Sequence, residues 1–163
     1  MGDSHILEKV SGMKSVCIFG CPHCTNESIA YAKGMSIIGR RRLGGFAYDA
    51  HAVTQEAERL KGVLAAKGIG AKVKIFSYVD TAMCKMHEKE RQRVARACEN
   101  TDAAIVLTCN AGWEGIKSAL PPSFKVVKGM ATTGEISSYR EIQNGKDVLI
   151  KEKTKIMSFK ELK

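Results

Sequence analysis

Six cysteines, at positions 17, 21, 24, 84, 98 and 109, are the residues of this chain best equipped for chemistry. A thiolate is both a nucleophile and a soft metal ligand. Cys21 and Cys24 stand just past the short apolar run Val16-Cys-Ile-Phe19. Cys84 follows a second predicted strand by a few residues, and Cys109 ends a third. Ligands of an open parallel sheet gather at the carboxyl ends of its strands, so Cys21, Cys24, Cys84 and Cys109 are expected to share one site. Four thiolates suit a [4Fe-4S] cluster or a structural zinc. Zinc ribbons present two close pairs, whereas one Cys-x2-Cys pair with two single cysteines suits the cuboidal cluster better. His87, in Cys84-Lys-Met-His87, has zinc-ligand spacing, but a histidine early in a charged helix is more simply solvated. His23, inside the pair, is placed to tune thiolates rather than to ligate. Cys17 lies inside the first strand, about 13 Å back from Cys21, and Cys98 on the apolar face of a helix. Core packing is the ordinary role for both, with Cys17 left open as a substitute ligand.

The elements that must position these thiols follow from periodicity. The first strand ends at Gly20, and a helix capped by Thr25 or Asn26 is expected to run to about Gly39. Val53, Ala57, Leu60 and Leu64 mark one face of a second helix, closed by Gly68 and Gly70. Lys72-Val-Lys-Ile-Phe-Ser-Tyr-Val79 alternates as a strand, and a charged helix over Met86–Glu99 buries only Val94, Ala97 and Cys98. Ala103–Leu107 is a buried strand, Trp113–Leu120 a short helix and Phe124–Val127 a fourth strand. Strands alternating with helices predict a three-layer α/β domain with a mainly parallel sheet. Tyr139–Gln143 and Lys146–Ile150 flank Asn144-Gly145, a strong hairpin signal. The Lys-rich end from Lys151 reads as a surface strand or frayed helix. One domain over residues 1–163 is expected, with its core at about 14–135 and the hairpin and tail at 136–163.

Composition narrows the function classes. The chain has 163 residues and a net charge of +9, divided as +4 over residues 1–82 and +5 over 83–163. A diffuse positive field favours acidic partners or anions. Aromatic residues are few and not interleaved with basic ones, which argues against a nucleic-acid platform. No apolar stretch approaches the ~20 residues of a membrane span. The opening Met1-Gly-Asp-Ser-His-Ile-Leu-Glu8 lacks a basic segment followed by an apolar run, and position 6 is Ile rather than Ser or Thr. A cytoplasmic protein without a lipid anchor is expected. Gly68-Ile-Gly70 precedes a strand rather than opening a helix, so it is no dinucleotide fingerprint. Arg40-Arg-Arg42 needs no ligand if it lies near a helix C-terminus.

Three family patterns touch these residues. Cys17-x3-Cys21-x2-Cys24 has the spacing of radical S-adenosylmethionine enzymes, but Cys17 sits in a strand rather than a loop. Cys21-Pro-His-Cys24 resembles the dithiol of thioredoxin-like oxidoreductases, with Pro122 as a stand-in for their cis-proline. That reading makes Cys21 the nucleophile and Cys24 the resolving thiol. The widest resemblance joins Gly20-Cys21-Pro-His-Cys24, Cys84, Ala103-Ala-Ile-Val-Leu-Thr-Cys109-Asn-Ala-Gly112, Ile116-Lys-Ser-Ala-Leu-Pro121, Val126-Val127 and Thr133-Gly-Glu135. Together these look like the C-terminal or zinc-binding accessory domain associated with methylenetetrahydrofolate reductases of anaerobes. The resemblance implies a Rossmann-like fold, an iron–sulfur cluster, a flavin-dependent reductase as partner, and an archaeal or other anaerobic source. The chain departs from that pattern in having Ser28 where a further cysteine is usual and no cysteine after Cys109. Gly39-Arg-Arg-Arg-Leu-Gly-Gly45 reads as extra length. The expected function is electron transfer through a [4Fe-4S] cluster on Cys21, Cys24, Cys84 and Cys109, serving a redox partner protein. The alternatives are the thiol–disulfide oxidoreductase and a zinc-stapled interaction domain. Trp113, four residues past Cys109, shields a cluster or docks a flavoprotein in the first reading and packs the core in the plainer one.

Overall fold

The computed structural model describes residues 2–41, 48–76 and 82–159. In chain order the elements are α1 (Asp3–Lys9), β1 (Ser15–Gly20), α2 (Cys24–Ala32), β2 (Ile37–Arg41), β3 (Tyr48–Ala50) and α3 (His51–Ala65). They continue with β4 (Gly70–Ile75), a 3-10 turn (Met83–Lys85), α4 (Glu88–Cys98), β5 (Ala103–Leu107), α5 (Asn110–Ser118) and β6 (Lys125–Lys128). The last are β7 (Gly134–Ser137), β8 (Arg140–Gln143), β9 (Lys146–Leu149), a second 3-10 turn (Lys151–Lys153) and β10 (Lys155–Ser158).

Four strands form a parallel sheet in the order β4-β1-β5-β6. β1 and β5 are central and read as unbroken apolar runs because both of their faces are covered. Side chains alternate between two apolar clusters. Val16, Ile18 and Ile105 face the one built with Ala52, Val53, Ala57, Leu60 and Leu64 of α3. Cys17, Phe19, Ala104 and Val106 face the other, built with Val94 and Cys98 of α4 and Ile116 of α5. The three-layer α/β architecture with a mainly parallel sheet is thus as the periodicity predicts. Among the described residues no helix is long and apolar enough to cross a membrane.

The helix after β1 is shorter than expected. α2 starts at Cys24 with His23 as its N-cap residue and stops at Ala32. Gly34 then takes φ 65°, the left-handed geometry that ends helices. The β-branched pair Ile37-Ile38 continues as strand, because β9 supplies hydrogen-bonding partners from far along the chain. Asn26, expected as a cap, is instead fully buried inside α2. Its side chain donates to the Ile38 carbonyl at 2.7 Å and accepts the Val53 amide at 3.0 Å, tying α2 to β2 and α3.

The predicted hairpin is present. β8 and β9 pair antiparallel around Asn144 (φ 51°) and Gly145 (φ 71°), both left-handed as a type I′ turn requires. It is no appendage, since β9 pairs with β2 in a second sheet of order β3-β2-β9-β8. The tail after Lys151 forms β10, which pairs with β7. α5 begins at Asn110, three residues before its expected start, and α4 spans Glu88–Cys98. The end of the predicted strand at Ser77–Val79, and positions 42–45 of the extra length, lie outside the described residues.

Candidate functional site

The strand order creates the site. From β1 the chain crosses outward to β4, then back past β1 to β5, so crossovers leave in opposite directions at the β1/β5 boundary. Open parallel sheets have a crevice at such a switch point, at the carboxyl ends of the two strands. Cys21 and Cys24 lie where the chain leaves β1, and Cys109 where it leaves β5. The Cys21 amide donates to the Leu107 carbonyl at 3.2 Å and carries the strand pairing into the crevice.

Cys24 and Cys109 meet there as a hydrogen-bonded thiol pair. The Cys24 S–H donates to the Cys109 sulfur and holds its thiol at a pKa of about 5. Partial burial opposes that shift, while the Gly112 and Ala111 amides support it. Those amides are available because Cys109 is the N-cap residue of α5, where the first turn leaves N–H groups unpaired. Cys24 keeps its proton in the bond, so its own pKa is raised. Cys21 lies behind the pair, 3% exposed. Burial pushes its thiol up, against the His23 and Met83 amides directed at its sulfur. Thr108 is itself buried, its hydroxyl without a hydrogen-bond partner among the described residues, and is packed against Gly112 so closely that a Cβ there would collide with that hydroxyl.

Cys84 enters through Met83. The 3-10 turn puts the Met83 amide on the Cys21 sulfur, and Cys84 is the next residue, its side chain exposed. Gly115 of α5 lets this turn approach, for a Cβ at 115 would strike the Met83 carbonyl oxygen. Beside Cys109, Trp113 lies under two ammonium groups, Lys128 at 4.4 Å and Lys117 at 4.9 Å from the ring centroid.

The structure thus brings Cys21, Cys24 and Cys109 together, while Cys84 is exposed and is tied to them only through its neighbour Met83. His87 takes a different part, as the N-cap residue of α4 in a capping box, its amide donating to Glu90 Oε2 at 3.0 Å. Cys17 is fully buried in β1 and hydrogen-bonds Cys98 of α4. These two core cysteines are therefore a second thiol pair, and Cys17 is no substitute ligand at the crevice. Sequence reasoning missed Met83, Thr108, Gly112 and Gly115. The two helical glycines carried a usable signal, since glycine costs helix stability and its presence at i and i+3 marks one crowded face.

The donor set that the structure brings together is three sulfurs, with backbone amides aimed at two of them, and thiolates are soft metal ligands. Among the described residues, no three His, Cys, Asp or Glu side chains are arranged to hold a single metal ion. Comparison of the chain with protein-family models, with curated proteins and with solved structures finds no match in any of the three.

Proposed function

We propose that this protein is an iron–sulfur electron carrier whose Cys21, Cys24, Cys84 and Cys109 hold one [4Fe-4S] cluster and which serves a partner redox enzyme. The resemblance read from the sequence implies a flavin-dependent reductase of one-carbon metabolism as that partner. One observation carries the reading: Cys21 and Cys24, just past β1, meet Cys109, just past β5, at the switch-point crevice, with amides directed at the sulfurs of Cys21 and Cys109. When bound, such a cluster accepts and releases one electron. Amides on Cys21 and Cys109 disperse thiolate charge, which favours the reduced state. Loading requires Cys24 to give up its proton and its bond to Cys109, so binding releases protons and weakens as the solution is acidified. Trp113, with Lys117 and Lys128 over its ring, gives the rim of the site a positive face suited to an acidic partner surface.

A second reading is favoured by the contact between Cys24 and Cys109. A thiolate poised against a protonated thiol is the arrangement of a dithiol reductant. Here it moves the nucleophile from Cys21 to Cys109, since Cys21 is buried and its pKa is raised. The Cys109 thiolate attacks a substrate disulfide and expels one thiolate. Cys24 passes its proton to that thiolate and attacks the Cys109 sulfur of the mixed disulfide, breaking its bond to the substrate and expelling the second substrate thiolate, so that a Cys24–Cys109 disulfide closes as two electrons pass to the substrate. For the thioredoxin-like form of this idea, the strand before the pair and the helix after it are present, but the main sheet is parallel throughout and no peptide bond among the described residues, that before Pro122 included, is cis.

Iron, sulfide and zinc content of anaerobically purified protein, with its visible spectrum before and after dithionite, separates the readings. About four irons and four sulfides per chain, with a broad band near ~400 nm that bleaches, is the expected result. Cys84→Ser and Cys109→Ser should each abolish it. Stoichiometric zinc without iron overturns the cluster in favour of the zinc-stapled domain. Neither metal, with a reversible Cys24–Cys109 disulfide, overturns it in favour of the dithiol.

A further inference from the structure

We propose that the groove between β4 and α4 binds a nucleotide, a small molecule that joins a planar aromatic ring to a phosphate chain. β4 is the outer strand of the parallel sheet, and α4 packs over its inner neighbour β1. The space left between α4 and β4 is a groove of about 430 Å³, within the ordinary range of small-molecule sites. Its apolar surface includes Phe19, Phe76, Val94 and Ala97, and its cationic walls are formed by Lys72 and Lys74 of β4 facing Arg93 and Arg96 of α4. Among its described lining residues there is no carboxylate.

The placement of these cations asks for a ligand. In β4 the side chains alternate, so Lys72 and Lys74 stand on one face, about 6.6–6.8 Å apart along the strand. The strand register sets them beside Cys17 and Phe19, on the face that α4 and its apolar cluster cover. Lysine on an edge strand ordinarily guards against strand-to-strand aggregation. That role needs no cations on the opposite wall, where Arg93 and Arg96 set like charge across the groove from Lys72 and Lys74. None of Lys72, Lys74 and Arg96 has a carboxylate partner among the described residues. A bound anion removes the repulsion. A planar guanidinium grips phosphate through two parallel hydrogen bonds, and two ammonium groups add point charge. The apolar side chains Phe19, Phe76, Val94 and Ala97 offer a surface for an aromatic ring, and a concave volume of this size suits a small molecule better than a protein surface. The groove is built by residues apart from Cys24, Cys84 and Cys109, so the proposal does not rest on the reading of the cysteine site.

Titration calorimetry of the full chain with ADP, adenosine and pyrophosphate tests it. The expected result is saturable binding of one ADP per chain, with adenosine and pyrophosphate each at least about tenfold weaker. Lys74→Glu and Arg96→Ala should each weaken ADP at least about tenfold. Ala97→Phe, which fills the ring space without changing charge, should do the same. Lys67→Glu makes the same charge change in the exposed turn after α3 and should leave ADP binding as it was. Melting temperatures of the variants identify any loss that comes from unfolding. The proposal is overturned by absence of saturable ADP binding, by pyrophosphate binding as tightly as ADP, or by Lys67→Glu weakening ADP as much as Lys74→Glu. Iron and sulfide play no part in the readout, so this site and the cluster stand or fall separately.

Discussion

Cys109 owes its acidity to the Cys24 thiol first and to the open end of α5 second, and the two contributions can be separated. In metal-free protein, alkylation of Cys109 by iodoacetamide, followed by mass spectrometry across pH, should be half-maximal near pH 5. Cys24→Ala removes the S–H donor and should move that midpoint toward the ordinary thiol range of about 8–9. A wild-type midpoint already in that range would sink the account of the pair. The same shifts bear on stability. The folded-state pKa of Cys109 is depressed, so its contribution grows as pH rises from about 5 to the ordinary thiol value and is lost as pH falls through about 5. Cys24 is raised, so its contribution is intact below the ordinary thiol value and is lost as pH climbs toward its own. At this scale the sequence was half legible. A cysteine's place along a strand fixes the sheet end at which it emerges, so the common edge of Cys21, Cys24 and Cys109 could be read. Which thiol meets which could not, because Cys24–Cys109 and Cys17–Cys98 are contacts between distant segments with no local signature.

Among the elements, the approach of the 3-10 turn to α5 is the contact on which Cys84 depends. Gly115→Ala sets a methyl group against the Met83 carbonyl, and the turn must move to relieve it. The displaced Met83 amide then loses the Cys21 sulfur and carries Cys84 away from the other thiols. On the proposed cluster, the expected outcome is less than half the iron per chain that the unsubstituted protein binds under the same anaerobic reconstitution. Gly62→Ala in α3, where a Cβ meets nothing within 4 Å, is the matching control. It should keep its iron and gain about 0.4–1 kcal/mol in urea denaturation. Full iron content in Gly115→Ala would show that the turn does not place Cys84. The contrast between β5 and β2 explains which elements were legible. β5 is apolar on both faces and five residues long, a pattern that belongs to a buried strand wherever its neighbours lie. β2 is strand because β9 covers and pairs with it. Without that partner, residues 37–41 read as the continuation of a helix.

The molecule as a whole joins two sheets through one core, and this decides whether its C-terminal strands form a separate unit. Leu149 of β9 and Ile38 of β2 belong to the same apolar cluster as Val16 and Ile18 of β1. Ionic and polar contacts run the same way. Arg140 of β8 reaches Glu27 of α2 at 3.1 Å, and the Ser138 hydroxyl donates to that same carboxylate. Trp113, the one tryptophan in the chain, packs against the opposite cluster, next to Cys109. Its fluorescence therefore reports on the far side of the sheet from β9. If the two sheets unfold as one unit, Leu149→Ala should destabilise the protein by about 2–5 kcal/mol, the usual cost of such a cavity. The loss should appear in a single urea transition, with the Trp113 signal and the backbone circular dichroism shifting together. Should the circular dichroism midpoint fall while the Trp113 midpoint stays in place, the C-terminal strands would be a separate unit, and the cysteine site would owe nothing to them. Coincident shifts would mean that β9 supports Cys24 from a distance, through Ile38 and the Asn26 side chain that fixes the first turn of α2.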